Sequence, residues 1–350
     1  MFYMFGYSSI EDFSLNIFNT TKITNMSNLF KNCTYLTSID LSKVNTREVR
    51  DTSNMFGNCK YLTSLDLYSF NTERIKNMSF MFSGCINLDF LDLRRFDTSG
   101  VTDMSYMFNE CDRLYNLDFS NFNTNKVKFM NKMFNNCHSL ISLDLSSFNT
   151  KQVSNMENMF NGCSRLLNLN INNFDVSNVV NMNSMFKSCK SLTSLDLSSF
   201  NTSKVHNMES IFSLCQSLRY LDISNFDTSK LTSMNYFFYG CSSLTSLDIS
   251  SFITTNVKSF NYMFESCSQL TSLDLSRFNT SNAVSLDNLF TNCISLIKIN
   301  VSSFDTSKVI SMSHMFYNCK SLTSLDVSNF KINEVETMFS MFSNCISLKI

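Results

Sequence analysis

Cysteine falls at residues 33, 59, 85 and onward to 345, thirteen times, always 26 residues apart and with no insertion or deletion. A fixed period of this length marks a stacked-repeat architecture, in which each unit contacts only its neighbours. For a 350-residue chain this feature overrides the expectation of two or three globular domains. The period predicts one solenoid over residues 1–350, of about thirteen repeats. The chain stops at Ile350, just after the leucine of a new strand and without a polar closing cap, so both ends read as truncated.

Each repeat is read by counting from its cysteine. Leucine stands three residues on in all thirteen copies, from Leu36 to Leu348. Apolar residues six and eight on, such as Leu65 and Leu67, flank a carboxylate such as Asp66. That alternation predicts a short strand with its apolar side inward. Phe follows at eleven, then commonly Asn or Asp and Thr, as in Phe122–Asn123–Thr124, which predicts a turn. The second half carries apolar residues at sixteen, nineteen, twenty-two and twenty-three, as in Val101, Met104, Met107 and Phe108. Such three- and four-residue spacing predicts a helix of about two turns. Asn, Asp, Ser or Thr precedes the first Met in twelve of thirteen copies and reads as a helix cap. Asn or Gly two residues after the Phe, in nine of thirteen, suits a left-handed helix end. The fold class expected is an α/β solenoid like that of leucine-rich repeats, with a parallel sheet on one side and short helices on the other. Met1–Tyr7 is only loosely in phase, with Tyr7 in the cysteine place.

Composition narrows the function. The formal net charge of −1 gives no basis for recruiting nucleic acid or anionic membrane. No apolar run is long enough to insert in a membrane, and residues 1–10 lack a secretory signal pattern. The cysteines share one phase, are odd in number and form no close pairs, so they read as buried free thiols rather than metal ligands or a disulfide set. Nineteen of 21 methionines lie in two columns. They could mark a binding groove or a copper site, but core filling fits better because a Phe accompanies them in every copy. His138, His206 and His314 are scattered, and no phosphate loop is present, so no enzyme, cofactor or metal is expected.

Two surface features remain. Asp recurs at position seven, including Asp40, Asp66, Asp92, Asp118 and Asp144. Side chains in this row either form a hydrogen-bonded ladder with neighbouring Ser, bind a ligand, or hold calcium, for which a single carboxylate column supplies few oxygens. The second feature is a break in the monotony: Tyr68, Phe90, Arg94 and Tyr115 replace the usual Ser or Thr, with Arg95 and Arg113 at the margins. Aromatic and Arg residues are typical interface anchors, although neutral drift on a tolerant surface also produces such breaks. The candidate binding set is Tyr68, Phe90, Asp92, Arg94, Tyr115 and Asp118.

The frame Met-Phe-x-x-Cys-x-x-Leu-x-x-Leu-Asp-Leu-Ser-x-Phe-x-Thr, as in Met133–Thr150, resembles BspA-like leucine-rich repeat surface proteins. The resemblance covers nearly the whole chain. It implies a cell-surface or extracellular protein that adheres to a protein or glycan partner, and it offers no catalytic residue. The alternative function is a passive spacer or stalk without its own ligand.

Overall fold

The structure is a computed structural model and describes residues 1–349. The chain forms two compact units, Met1–Asn178 and Val179–Ile350, each a stack of 26-residue rungs. In the first unit β1 (Asp12–Ser14) pairs in parallel with β2 (Ser38–Asp40), and β3 (Ser142–Asp144) with β4 (Asn168–Asn170). In the second, β5 (Ser272–Asp274) pairs in parallel with β6 (Lys298–Asn300). Register equals the repeat: Leu143 faces Leu169, and Leu273 faces Ile299. The strands overlap the start of the Leu-Asp-Leu triplets, and among the described residues the expected single parallel sheet is three separate two-stranded pairs.

From β2 onward they are short because the Asp or Asn at position seven ends them. Its Oδ1 accepts the N–H two residues on, as Asp144 does from Ser146 at 3.0 Å and Asp274 from Ser276 at 2.9 Å. That amide is then lost to the ladder, and the chain bends away as in an Asx turn.

The expected short helices are absent among the described residues. The one helical segment is a 3-10 turn, Leu15–Ile17. The Met-x-x-Met-Phe half is instead a run of tight turns in which alternate amides serve two purposes. Met104, Tyr106, Phe108 and Glu110 donate to Phe129, Asn131, Met133 and Asn135 of the next rung, at 2.8–3.1 Å. Between them, Met107, Asn109 and Cys111 donate three residues back within the rung. An α-helix would require every amide to bond four residues back. Here half of them tie one rung to the next.

The geometry demands left-handed backbone at two columns, twenty-one and twenty-five residues after the cysteine. Asn28, Phe80, Tyr106 and Tyr236 belong to the first, and Asn58, Gly84, Glu110 and Gly162 to the second, all with φ between 53° and 78°. A non-glycine residue costs about 1–2 kcal/mol in this region, and the paired bonds to the next rung offset it. The supposed helix caps are cap-like without a helix. Asn77 accepts the Ser79 N–H at 2.9 Å, Asp103 accepts that of Ser105 at 2.8 Å, and Asn77 and Asp103 form a parallel bridge.

The core lies between the two halves of each rung and is built of columns. Leu62, Leu65, Leu67, Phe70, Ile75, Met78, Met81, Phe82 and Cys85 are all buried, and their equivalents repeat up the stack. Phe30, Phe56, Phe82, Phe108 and Phe134 stack face to face with ring centroids 5.7–6.0 Å apart. Buried thiols donate to the Phe carbonyl of the rung before, as Cys85 does to Phe56 at 3.1 Å and Cys137 to Phe108 at 3.0 Å. Buried Thr forms a further ladder. Thr124 Oγ1 accepts the Asn149 N–H at 2.8 Å and donates to the Asn149 carbonyl at 2.9 Å.

The first rung differs from its expected phase. Ser8, not Tyr7, takes the cysteine place: its Oγ lies 3.3 Å from Cys33 Sγ. Phe5 joins the Phe column, stacked on Phe30 at 5.4 Å. This turn stands 25 residues before its partner, whereas β1 and β2 are 26 apart. One residue is therefore missing between Ser8 and Asp12.

Candidate binding face

The alternating exposure and burial of residues 90–94 turns positions five, seven and nine away from the buried Leu pair. In the first unit this places Phe90, Asp92 and Arg94 on one rung, with Tyr68 at Arg94's position one rung earlier. Phe90 is 52% and Tyr68 67% exposed. Two large rings left this open have no part in the core beneath them, where Leu65, Leu67, Leu91 and Leu93 are buried.

Tyr68 and Phe90 border an open hollow of about 320 Å³, whose lining also includes Ser64, Asp66, Asp92 and Arg95. Arg95 is the residue that shapes it. At its position neighbouring rungs carry Ser or Asn, whose side chains bond back to the preceding rung: Ser69 to Leu41 O at 2.8 Å, Asn121 to Arg94 O at 2.8 Å. Arg95 instead lays its guanidinium 3.6 Å from the Tyr68 ring centroid, a cation–π contact that holds the ring in place.

Arg94 does not point a free charge at the hollow. Its Nε and Nη2 donate to the two oxygens of Asp92 at 2.9 and 2.7 Å, and its own amide donates to Oδ1 at 3.1 Å. This hydrogen bonding holds the Asp92 carboxyl down at about 2. Asp118 and Tyr115 stand outside the hollow. Asp118 borders a second one of about 380 Å³ with Phe119, Asp144 and Asn173, and Tyr115, 52% exposed, sits four residues after its cysteine at the rim. The structure thus brings Tyr68, Phe90 and Asp92 together, binds Arg94 to Asp92, and leaves Tyr115 and Asp118 one rung on. Ser64, Leu65, Asp66, Leu67 and Arg95 also line the hollow and lie outside the candidate binding set. Arg95, which the sequence places at the margin of the break, departs from the Ser/Asn column.

The carboxylate row is a backbone device more than a ladder between rungs. Asp118 accepts from the Ser120 amide at 2.9 Å, Asp196 from Ser198 at 3.0 Å and Asp248 from Ser250 at 2.9 Å. These bonds set their carboxyls below the ordinary range. Bonds from a neighbouring rung are local: Ser14 Oγ reaches Asp40 at 3.2 Å, and Asn170 Nδ2 reaches Asp144 at 2.9 Å. Among the described residues no group of three or more His, Cys, Asp or Glu side chains is arranged to hold a metal ion.

With this geometry in hand, the comparisons with known proteins place the chain. One family model, described as Mycoplasma protein of unknown function, DUF285, matches residues 1–90, 58–166, 87–195, 139–243, 192–295 and 269–350. The chain belongs to the DUF285 family. Its overlapping matches fit the 26-residue period, and the DUF285 repeat has the frame of the BspA-like leucine-rich repeat. No curated protein matches. Among solved structures, a leucine-rich repeat protein from Bacteroides ovatus is 22% identical, with 89% of this chain and 86% of that one covered and a TM-score of 0.46. A leucine-rich cell surface protein from Faecalibacterium prausnitzii is 17% identical, covering 97% and 82%, with a TM-score of 0.36. A leucine-rich repeat protein from Eubacterium ventriosum is 12% identical, covering 97% and 83%, with a TM-score of 0.34. No described helix of the DUF285 chain is long and apolar enough to cross a membrane.

Proposed function

We propose that this DUF285 chain is a surface-exposed recognition protein that binds a protein or glycan partner at the face formed by Tyr68, Phe90, Asp92, Arg94, Tyr115 and Asp118. The observation that carries the reading is the hollow between Tyr68 and Phe90. It lies where the repeat's small polar residues give way to exposed rings, and Arg95 braces one of those rings. Tyr and Arg are among the residues enriched in binding hot spots. Asp66 supplies an acceptor in the same hollow. Asp92 is internally neutralised, so its role is to hold Arg94 in place.

The test replaces Phe90→Ser, Arg94→Ser and Tyr115→Thr together. Other rungs already carry Ser or Thr at these positions, so the fold is expected to stand. Partners captured by cross-linking to the full chain should bind the variant at least tenfold more weakly. Partners bound equally well by both chains would overturn the reading, and a chain that captures none would favour the spacer role.

A further inference from the structure

Four residues after the cysteine most rungs carry a small or polar residue, as at Thr37, Thr63, Thr193, Thr271 and Thr323. Three adjoining rungs of the first unit depart from this together. Tyr115, Ile141 and Leu167 follow one another in that column and are 52%, 42% and 51% exposed. The rungs are tied at this level, since the Leu167 N–H donates to the Ile141 carbonyl at 2.9 Å. The result is a narrow apolar strip running up the stack at the rim of the sheet face.

Its two flanks carry opposite charge. On the sheet side stand the exposed Asp118 and Asp144, whose bonds to the Ser120 and Ser146 amides hold them in the charged form. On the other side, two residues after the cysteine, stand the exposed Arg113 and Arg165, while the carboxylate before Arg113, Asp112, is turned to the His138 ring at 3.1 Å.

We propose that the strip Tyr115–Ile141–Leu167 docks an amphipathic α-helix of a partner protein, lying along the stack with a basic flank toward Asp118 and Asp144 and an acidic flank toward Arg113 and Arg165. This rests on the recognition reading above, in its protein form. Spacing selects the helix. Stacked rungs repeat at about 4.8 Å, and a helix returns the same face every ~5.4 Å. An extended strand returns its face only every ~6.6 Å and falls out of step by the third rung. One apolar residue per helical turn can therefore meet one rung each, the i, i+3/i+4, i+7 mode of groove recognition. The opposed charges fix which way round the helix lies.

The experiment pans the full chain with two displayed libraries, one of helix-forming peptides with randomised faces and one of linear, proline-containing peptides. Helical binders with an apolar stripe and a Lys/Arg flank should be enriched. Their affinity should fall at least tenfold on Ile141→Thr with Leu167→Thr, and severalfold on Asp118→Asn with Asp144→Asn, with the second loss shrinking at high salt. Enrichment from the linear library alone, or from neither, would overturn the docking proposal. So would helical binders indifferent to the Thr variant. If those binders respond to Tyr68→Ser with Phe90→Ser instead, the helix strip falls and the recognition reading stands. Binders indifferent to both variants count against both.

Discussion

At the scale of single residues, stacking decides chemistry. Cys85, Cys163, Cys215 and Cys267 sit in the core, and burial pushes their thiols up to about 12. A thiol at such a pKa supplies almost no thiolate at neutral pH, and the thiolate is the reactive form. Native protein treated with a maleimide at pH 7 should therefore label slowly, with the half-buried Cys345 first, and all thirteen thiols should react after denaturation. Rapid labelling of most thiols in the native state would contradict the column packing. Burial shifts Glu265 the same way, but into the neutral range. Its Oε2 is buried without a partner, and burial alone pushes the carboxyl up from 4.5 to about 7. A raised pKa means that the folded state holds the proton more tightly than the unfolded one. The stability it contributes is complete below pH ~4.5 and is lost as pH rises through about 7. The urea midpoint should thus fall between pH 5 and pH 8, and Glu265→Gln should flatten that fall. An unchanged slope in the variant would show that Glu265 is not its source. The Asp row works in a separate window. Its lowered carboxyls, Asp40 at about 2, lose their contribution only as pH drops below the ordinary value of 3.8.

At the scale of the element, the Thr ladder shows how the turn after the strand is held. Thr124→Val keeps the shape but strips the Asn149 amide and carbonyl of their buried partner. Leaving such groups unsatisfied costs about 1–3 kcal/mol, so the variant should lose roughly that much in a urea titration with little change in slope. A loss near zero would mean that water replaces the hydroxyl. The strand and the Asx turn are legible in the sequence, because period-two alternation around Asp144 has one simple reading. The left-handed column that includes Asn58 and Gly84 is legible too, since those residue types favour it. The column containing Phe80 and Tyr106 is not, because nothing in an aromatic side chain announces positive φ. The missing helices have the same origin. Met104, Met107 and Phe108 face inward from a helix or from successive turns alike, and only the bonds from Tyr106 and Phe108 to the next rung separate the two. At the site, Tyr68 and Phe90 stand out as breaks in a polar column. Arg95 stands at the margin of the same break, but its bracing role is not legible, because it depends on a ring one rung away. The first rung misleads for a related reason: Phe18–Asn19–Thr20 match the later repeats, so the missing residue before Asp12 leaves no trace in them.

At the scale of the whole molecule, each unit is a stack whose rungs bond to their neighbours through a fixed set of amides. Stability in such an array is close to a sum over rungs and the interfaces between them. Excising residues 111–136, one full period, should leave a folded chain with cooperative unfolding and a smaller denaturant slope, because less surface is exposed on unfolding. Excising 111–135 or 111–137 puts the donors and acceptors that meet across the junction one residue out of register, while later rungs keep their spacing, and should lower stability below that of the full-period deletion. Equal behaviour of the three deletions would refute the register-locked stack. The same bonding pattern bears on inheritance. A gene for this chain is a tandem array of near-copies, the kind of sequence that mispairs during recombination. Unequal exchange between copies adds or removes whole repeats, and the ladder accepts such a step without a misfit at the junction. Length can therefore vary between descendants without a new fold being found each time, and point changes such as those at Tyr68 and Arg95 can be carried to other rungs along with the repeat that bears them.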